Sequence, residues 1–259
     1  MTEIDRYADR QALLDFWLAE AQSPFEGWDF SHISGTGRMR TAPQTWCYAS
    51  EVLPRLRRAA SLLDMGTGGG ELLSQLRPLP PHSLATEGFA PNLPVARARL
   101  EPLGVQVVAV ENDVSLPFAE AEFDLVINRH ESYAPAEVWR VLAPGGLFIT
   151  QQVGGEDGWD LNMLLGARFN LDANWRLATA RSQLETAGFE VLKAAEDFPR
   201  ARFFDVGAIV YYLKAVPWQI EDFSVERYAE ALFQLHHRIQ EEGYLDVRDH
   251  RFFLLARKP

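Results

Sequence analysis

The chain has 259 residues, 47% of them hydrophobic and 24% charged, enough apolar material for one large domain or a domain with a substantial insertion. Its formal net charge of -11 argues against a protein whose affinity comes from neutralising phosphates, so no binding of bulk nucleic acid is expected. Cys47 is the single cysteine, which excludes an internal disulfide framework and a cysteine cluster for zinc.

The first residues, MTEIDRYADR, are charged and lack an apolar core, so they do not read as a secretory signal. No apolar run approaches the ~20 residues a membrane span needs. A cytoplasmic protein without membrane association is the expectation. DRQALLDFWLAEA (9–21) reads as an amphipathic helix, and 22–43, with Pro24, Gly27, Gly35, Gly37 and Pro43, as loop. A short helix is expected over 45–58, strained at Pro54. Strand-like runs follow: SLLDM (61–65), SLATE (83–87), VQVVAV (105–110), FDLVIN (123–128) and GLFITQQ (146–152). Helical segments near 70–77, 92–103 and 135–142 separate them. This alternation predicts parallel strands joined by right-handed crossovers, with helices on both faces of the sheet.

Beyond 152 the pattern changes. TARSQLETAGFEVLKAAED reads as a helix, a stop at Gly188 and a strand. FFDVGAIVYYLKAVPW and SVERYAEALFQLHHRIQEEG read as two helices of an insertion at about 203–243. The chain closes on HRFFLLARK, a strand placed to pair antiparallel with 189–196. The expected division is an N-terminal helical and loop segment, 1–58, and a main domain, 59–259, that carries the insertion.

The stretch SLLDMGTGGGELL (61–73) holds the strongest chemical signal. Glycines directly after a strand allow a tight turn and let a ligand approach the backbone. On an open parallel sheet, ligands sit beyond the carboxyl ends of the strands. Asp64 ends the first strand, Glu87 the second and Asp113 follows the third, so the three acids line one edge. A carboxylate after the second strand suits a ribose diol, and one after the third can accept from an adenine amino group. Asp64 can attract an ammonium. A nucleoside with an amino-acid tail satisfies all three.

LLDMGTGGGE resembles the first motif of class I S-adenosylmethionine-dependent methyltransferases. ATEGF is similar to their acidic second-strand motif, and NDVSLPFAEAEFDLVINRH to the run through their third and fourth strands. EVWRVLAPGGLFIT resembles the helix, turn and fifth strand of their small-molecule branch. The resemblance covers about residues 55 to 155. It implies a doubly wound, Rossmann-like α/β sheet of seven strands, the last antiparallel, and S-adenosylmethionine as cofactor. By that resemblance Asp64, Gly66, Thr67, Gly68 and Gly70 form the methionine-side loop. Glu87 would hold the ribose, Gly88 or Phe89 would flank the adenine, and Asn112, Asp113 and Val114 would meet its edge. Asn128 and Arg129, at the end of the fourth strand, fall near the expected methyl position.

Two other classes compete. A nicotinamide oxidoreductase would need G-x-G-x-x-G, but counting from Gly66 places Glu71 at the last position, and counting from Gly68 places Leu73 there. A cofactor-binding protein without catalysis is the other. For methyl transfer, His130 is the leading base or acceptor-orienting residue, being the side chain here whose ordinary pKa lies near neutrality. No Asn-Pro-Pro-aromatic tetrapeptide follows the fourth strand, which weakens a case for DNA amino methylation. No metal constellation is visible, since His236 and His237 are adjacent and point apart on a helix. Aromatic residues Trp17, Phe25, Trp28, Phe30, Trp46 and Tyr48, with Phe203, Phe204, Tyr211, Tyr212 and Trp218, are placed to build a lid over a small-molecule acceptor. Arg38 or Arg40 could pair with a cofactor carboxylate. An RNA base is the alternative acceptor: YYLKAVPWQI is loosely similar to a segment of ribosomal RNA guanine methyltransferases, but those carry a zinc module that one cysteine cannot build.

Overall fold

In the computed structural model, which describes residues 3–26, 28–169 and 172–259, the chain opens with a long helix, α1 (Glu3–Gln22). Gly27, read above as loop, lies outside the described residues. One helical turn, α2 (Ser31–Ser34), and a short strand, β1 (Met39–Thr41), precede α3 (Tyr48–Leu56). Next come β2 (Ser61–Met65), β3 (His82–Glu87), α4 (Asn92–Leu100), β4 (Val105–Ala109), β5 (Phe123–Arg129), α5 (Pro135–Val141) and β6 (Leu142–Val153). The remainder is α6 (Trp159–Leu165), α7 (Leu177–Thr186), β7 (Glu190–Asp197), β8 (Arg200–Phe203), α8 (Val206–Ala215), α9 (Ala229–Glu242), β9 (Leu245–Arg248) and β10 (Arg251–Arg257). Among the described residues, no helix is long and apolar enough to cross a membrane.

Seven strands form one sheet in the order β4-β3-β2-β5-β6-β10-β7. β2 runs parallel to β3 and to β5, while β10 runs antiparallel to both β6 and β7. This is the expected doubly wound, Rossmann-like α/β sheet with a reversed last strand. The chain moves outward from β2 to β4 and then returns to the other side of β2 as β5. That reversal opens a crevice at the carboxyl ends of β2 and β5, where such sheets bind ligands.

Both faces of the sheet are covered, and the two-residue period of the strands sorts its side chains between them. Leu62, Leu125, Ile127 and Ile149 pack on one face with Val52 and Leu56 of α3 and Ala96 and Leu100 of α4. Leu63, Met65, Val126 and Phe148 pack on the other with Val138 and Val141 of α5 and Ala180 and Leu184 of α7. A third core joins segments far apart in sequence: Trp17 of α1, Ile33 of α2, Leu161 of α6, Phe203 of β8 and the inner faces of α8 and α9. The N-terminal helices and the insertion therefore share one interior, while α3, from the same N-terminal segment, packs with the sheet.

Three features depart from expectation. Residues 70–77 form only a 3-10 turn, Leu73–Gln75, not a helix. Pro78, Pro80 and Pro81 follow at once, and a proline drives the residue before it out of the helical region. A small antiparallel sheet, β1-β8-β9, was not foreseen, and β1 lies inside the segment read as loop. Helix α6 was not foreseen either. Strands of three or four residues and a seven-residue helix are too short to display a period.

Candidate active site

The glycine loop takes its shape from left-handed backbone. Gly66, Gly68 and Gly70 have φ of 68°, 63° and 78°, a region a side chain strongly disfavours. Each also faces a different neighbour. A Cβ on Gly66 would come within 2.2 Å of Glu131 Cγ, on Gly68 within 2.8 Å of Trp28 Cδ1, and on Gly70 within 2.7 Å of Leu100 Cγ. The loop is tied to β3 by the Thr67 N–H, which donates to the Thr86 carbonyl at 2.8 Å, and by the Gly66 N–H, which donates to Thr86 Oγ1 at 3.2 Å. The buried Thr67 hydroxyl lies beside the Asp64 carboxyl. Because no α-helix follows the loop, its free donors are those of the turn rather than of a helix start.

The three acids converge as the topology requires. Asp64 is 8% exposed, and burial, reinforced by the Glu87 charge, pushes its carboxyl up to about 7. Glu87 is 4% exposed, and its Oε1 accepts the Phe89 N–H at 2.7 Å. Asp113 accepts a hydrogen bond from Ser132 Oγ. Glu87 and Asp113, but not Asp64, line a cleft of about 660 Å³ together with Gly66, Thr86, Gly88, Phe89, Val110–Asn112, Val114 and Glu131–Ala134. Phe89 and Val114, 62% and 71% exposed, flank it. Asn112 Oδ1 accepts the Val114 N–H at 3.1 Å and shapes the turn there. Gly88 sits on the wall, where a Cβ would stand 3.4 Å from the Val110 carbonyl oxygen.

Glu131 escaped the sequence reading, and Trp28, read there as one of the lid aromatics, was not placed against the glycine loop. Glu131 lies across Gly66, and burial raises its carboxyl pKa, with the Asp113 and Glu87 charges adding to the rise. Trp28 reaches the glycine loop from the N-terminal segment, packing edge-on against Trp218 at 5.7 Å between ring centres. Neither approach leaves a local signal in the sequence.

At the end of β5 the residues divide. Asn128 is fully buried in a polar network: its Oδ1 accepts from Thr150 Oγ1 at 2.8 Å and from Gln152 Nε2 at 2.6 Å. It braces the strand end rather than lining the cleft. Arg129 and His130 are reached by solvent, yet protein surrounds them on most sides, as at the bottom of a recess. His130 stands at φ 60°, and its N–H donates to the Gln151 carbonyl at 2.8 Å. Its Nε2 lies 3.0 Å from Gln151 Nε2, while Gln151 Oε1 accepts the Trp46 indole N–H at 2.8 Å. Burial, followed by the charges of Arg129 and Arg251, holds the imidazole pKa well below its ordinary value. The ring is neutral at pH 7 and its Nε2 is already engaged by Gln151, which disfavours the general-base role.

Arg38 is not free to meet a cofactor. Its guanidinium donates to both oxygens of Asp205, at 2.9 and 2.7 Å, and to Glu20 at 2.8 Å. It ties α1 and β1 to the start of α8. Arg40 stacks over the Phe204 ring at 5.8 Å.

Comparison with known proteins agrees with this geometry. Residues 63–150 match the methyltransferase domain family. The chain is similar to a protein-L-isoaspartate O-methyltransferase from Chlorobaculum parvum, 31% identical over 117 residues, which are 44% of this chain and 53% of that one. The match thus spans about half the length of that relative. Among solved structures, the fold resembles a candidate methyltransferase from Bacillus halodurans C-125, with TM-score 0.56 and 20% identity over 81% of this chain and 99% of that one. It also resembles a protein of unknown function from Deinococcus radiodurans R1, with TM-score 0.58 and 15% identity over 85% and 91% of the two chains. Over residues 63–150, where the glycine loop and strand-end acids stand in family order, the chain matches the methyltransferase domain family, whose class I members use S-adenosylmethionine as their methyl donor.

Proposed function

We propose that the protein transfers a methyl group from S-adenosylmethionine to a small metabolite held beneath an aromatic lid. The observation that carries this reading is the cleft itself. A left-handed glycine loop and the buried Glu87 meet at the crevice where the strand order reverses. Glu87 has one carboxylate oxygen tied to the Phe89 N–H and the other directed to no protein donor, which suits a ribose diol. Phe89 and Val114 would sandwich the adenine, with Asp113 and Asn112 at its edge. Asp64, Thr67 and the glycines would hold the amino-acid tail. When bound, the cofactor supplies an electrophilic sulfonium methyl. The protein's part is to align the acceptor and exclude water.

The lid reading rests on the third core, which carries Trp28 and Trp218 to the rim of the glycine loop. The acidic charge favours a metabolite over an RNA base. Calorimetry with S-adenosylmethionine and S-adenosylhomocysteine tests the cofactor. Both should bind, and Glu87→Ala should weaken them about tenfold to a hundredfold, the cost of an unpaired buried diol. Heat from a nicotinamide dinucleotide, and none from either adenosyl compound, would overturn the assignment.

A further inference from the structure

Arg251 and Arg129 both face the recess at the end of β5, but only one is neutralised. Arg251 pairs with Asp157 and, at 3.4 Å, with Asp249. Arg129 has no ion pair or hydrogen bond among the described residues; the charged groups near it are Arg251 and Asp64, and Tyr48 beside it is a neutral phenol. Burial raises the Asp64 carboxyl to about 7, so it offsets that charge less than an ordinary carboxylate would. An accessible, enclosed and uncompensated guanidinium calls for an anionic ligand, and its planar fork matches a carboxylate.

His130 supplies a second donor beside it. The Trp46 indole N–H fixes the Gln151 amide by donating to Oε1, so Gln151 Nε2 is the atom presented to the imidazole. An N–H must meet a lone pair, so His130 Nε2 accepts and the ring proton sits on Nδ1. Turning the amide over would set two donors, Trp46 Nε1–H and the amide NH₂, against each other. Protonating Nε2 would do the same at the other end. No protein partner satisfies Nδ1 among the described residues.

We propose that Arg129 and the Nδ1–H of His130 form a carboxylate-binding subsite at the carboxyl end of β5. Its occupant is either the amino-acid tail of the methyl donor or a carboxylate on the acceptor. A monoanion matches the single uncompensated cation, whereas the nearby carboxylates of Asp64, Glu87 and Glu131 oppose a phosphate. The inference rests on the cleft being the S-adenosylmethionine site.

The test uses calorimetry with S-adenosylhomocysteine and with 5′-methylthioadenosine, which lacks the amino-acid tail. It compares the wild type, Arg129→Lys and Arg129→Met, and adds NMR of the S-adenosylhomocysteine-saturated protein titrated with acetate and benzoate. If the donor's tail fills the subsite, Arg129→Met weakens S-adenosylhomocysteine at least about tenfold and leaves methylthioadenosine unchanged, with Arg129→Lys in between. If the acceptor fills it, S-adenosylhomocysteine affinity is unchanged. Acetate or benzoate then shifts the His130 ring resonances in the wild type and not in Arg129→Met. Nitrogen shifts of His130 should report a neutral, Nδ1-protonated ring from pH 6 to 8; an Nε2-protonated or titrating ring removes it from the subsite. Identical nucleoside affinities together with no response to carboxylates overturn the inference and leave the cofactor assignment standing. A wild type that binds neither nucleoside overturns both.

Discussion

Asp64 closes β2 inside the sheet, where burial lifts its carboxyl from the ordinary 3.8 to about 7. A folded-state pKa above the unfolded one means that the folded protein keeps a proton the unfolded chain releases between about pH 4 and pH 7. The stability linked to that proton is complete below pH 4 and is lost as pH rises through about 7. Asp64→Asn keeps the size and removes the buried charge. The variant should gain on the order of 1–3 kcal/mol over the wild type at pH 8, and the gain should shrink toward pH 5. Urea denaturation at both pH values measures it; equal gains at the two would show that Asp64 does not titrate as its burial implies. Asp249, also raised to about 7 by burial, contributes to both proteins and drops out of the comparison. At this scale the sequence was informative wherever a residue's place followed from its strand. Asp64, Glu87 and Asp113 each fall just at or after a strand end, so their convergence could be read from spacing. The contact of Glu131 with Gly66, and that of the lid aromatic Trp28 with Gly68, could not, because they depend on how distant segments pack. The role of Arg38, left open between a cofactor pair and a solvated loop arginine, was hidden for the same reason: its partners Glu20 and Asp205 lie on either side of it in sequence and meet only in the folded chain.

At the scale of elements, Arg38 shows what fastens the N-terminal helix to the insertion. Asp205 does two tasks, accepting the Arg38 fork and capping α8 by accepting the Ala208 N–H at 2.8 Å. Glu20, the other partner, is buried. Arg38→Met would leave that carboxylate without its guanidinium partner, at an expected cost of about 2–3 kcal/mol, less than a fully buried pair because Asp205 keeps partial access to water. Denaturant unfolding with limited proteolysis should show lost stability and faster cleavage between α8 and α9. A drop in S-adenosylhomocysteine affinity with stability intact would instead restore the cofactor-carboxylate role for Arg38. The same elements explain how much of the fold could be read. The runs of β2, β3, β5 and β6 are buried on both faces because the sheet is covered on both sides, and in β2, β5 and β6 they are mostly apolar. β10 was legible as a strand and as the partner of β7, since Phe252 to Leu255 is apolar throughout and feeds both faces. β1, β8 and β9 escaped because three or four residues cannot show alternation, and their pairing sets the two ends of the chain side by side.

The whole molecule is built of two bodies that meet over the glycine loop. One is the sheet with its flanking helices; the other gathers α1, α2, α6, α8 and α9 around Trp17 and Phe233, whose ring centres lie 4.8 Å apart. The second body has an interior of its own. Its point of contact with the loop is the Trp28 ring at Gly68, backed by Trp218, and Trp28 keeps 48% of its surface exposed. A large apolar ring left half in water at the edge of a cleft gains further burial if a ligand fills the space beside it. Hydrogen exchange should therefore slow around Trp28 and Trp218 when S-adenosylhomocysteine saturates the protein, while α9, on the far side of that body's core, should exchange at its former rate. Trp28→Ala should weaken the nucleoside a few-fold, with the larger part of the change in its dissociation rate. Tight binding that leaves the exchange around Trp28 and Trp218 untouched would mean that this body does not close on the cofactor and is no lid.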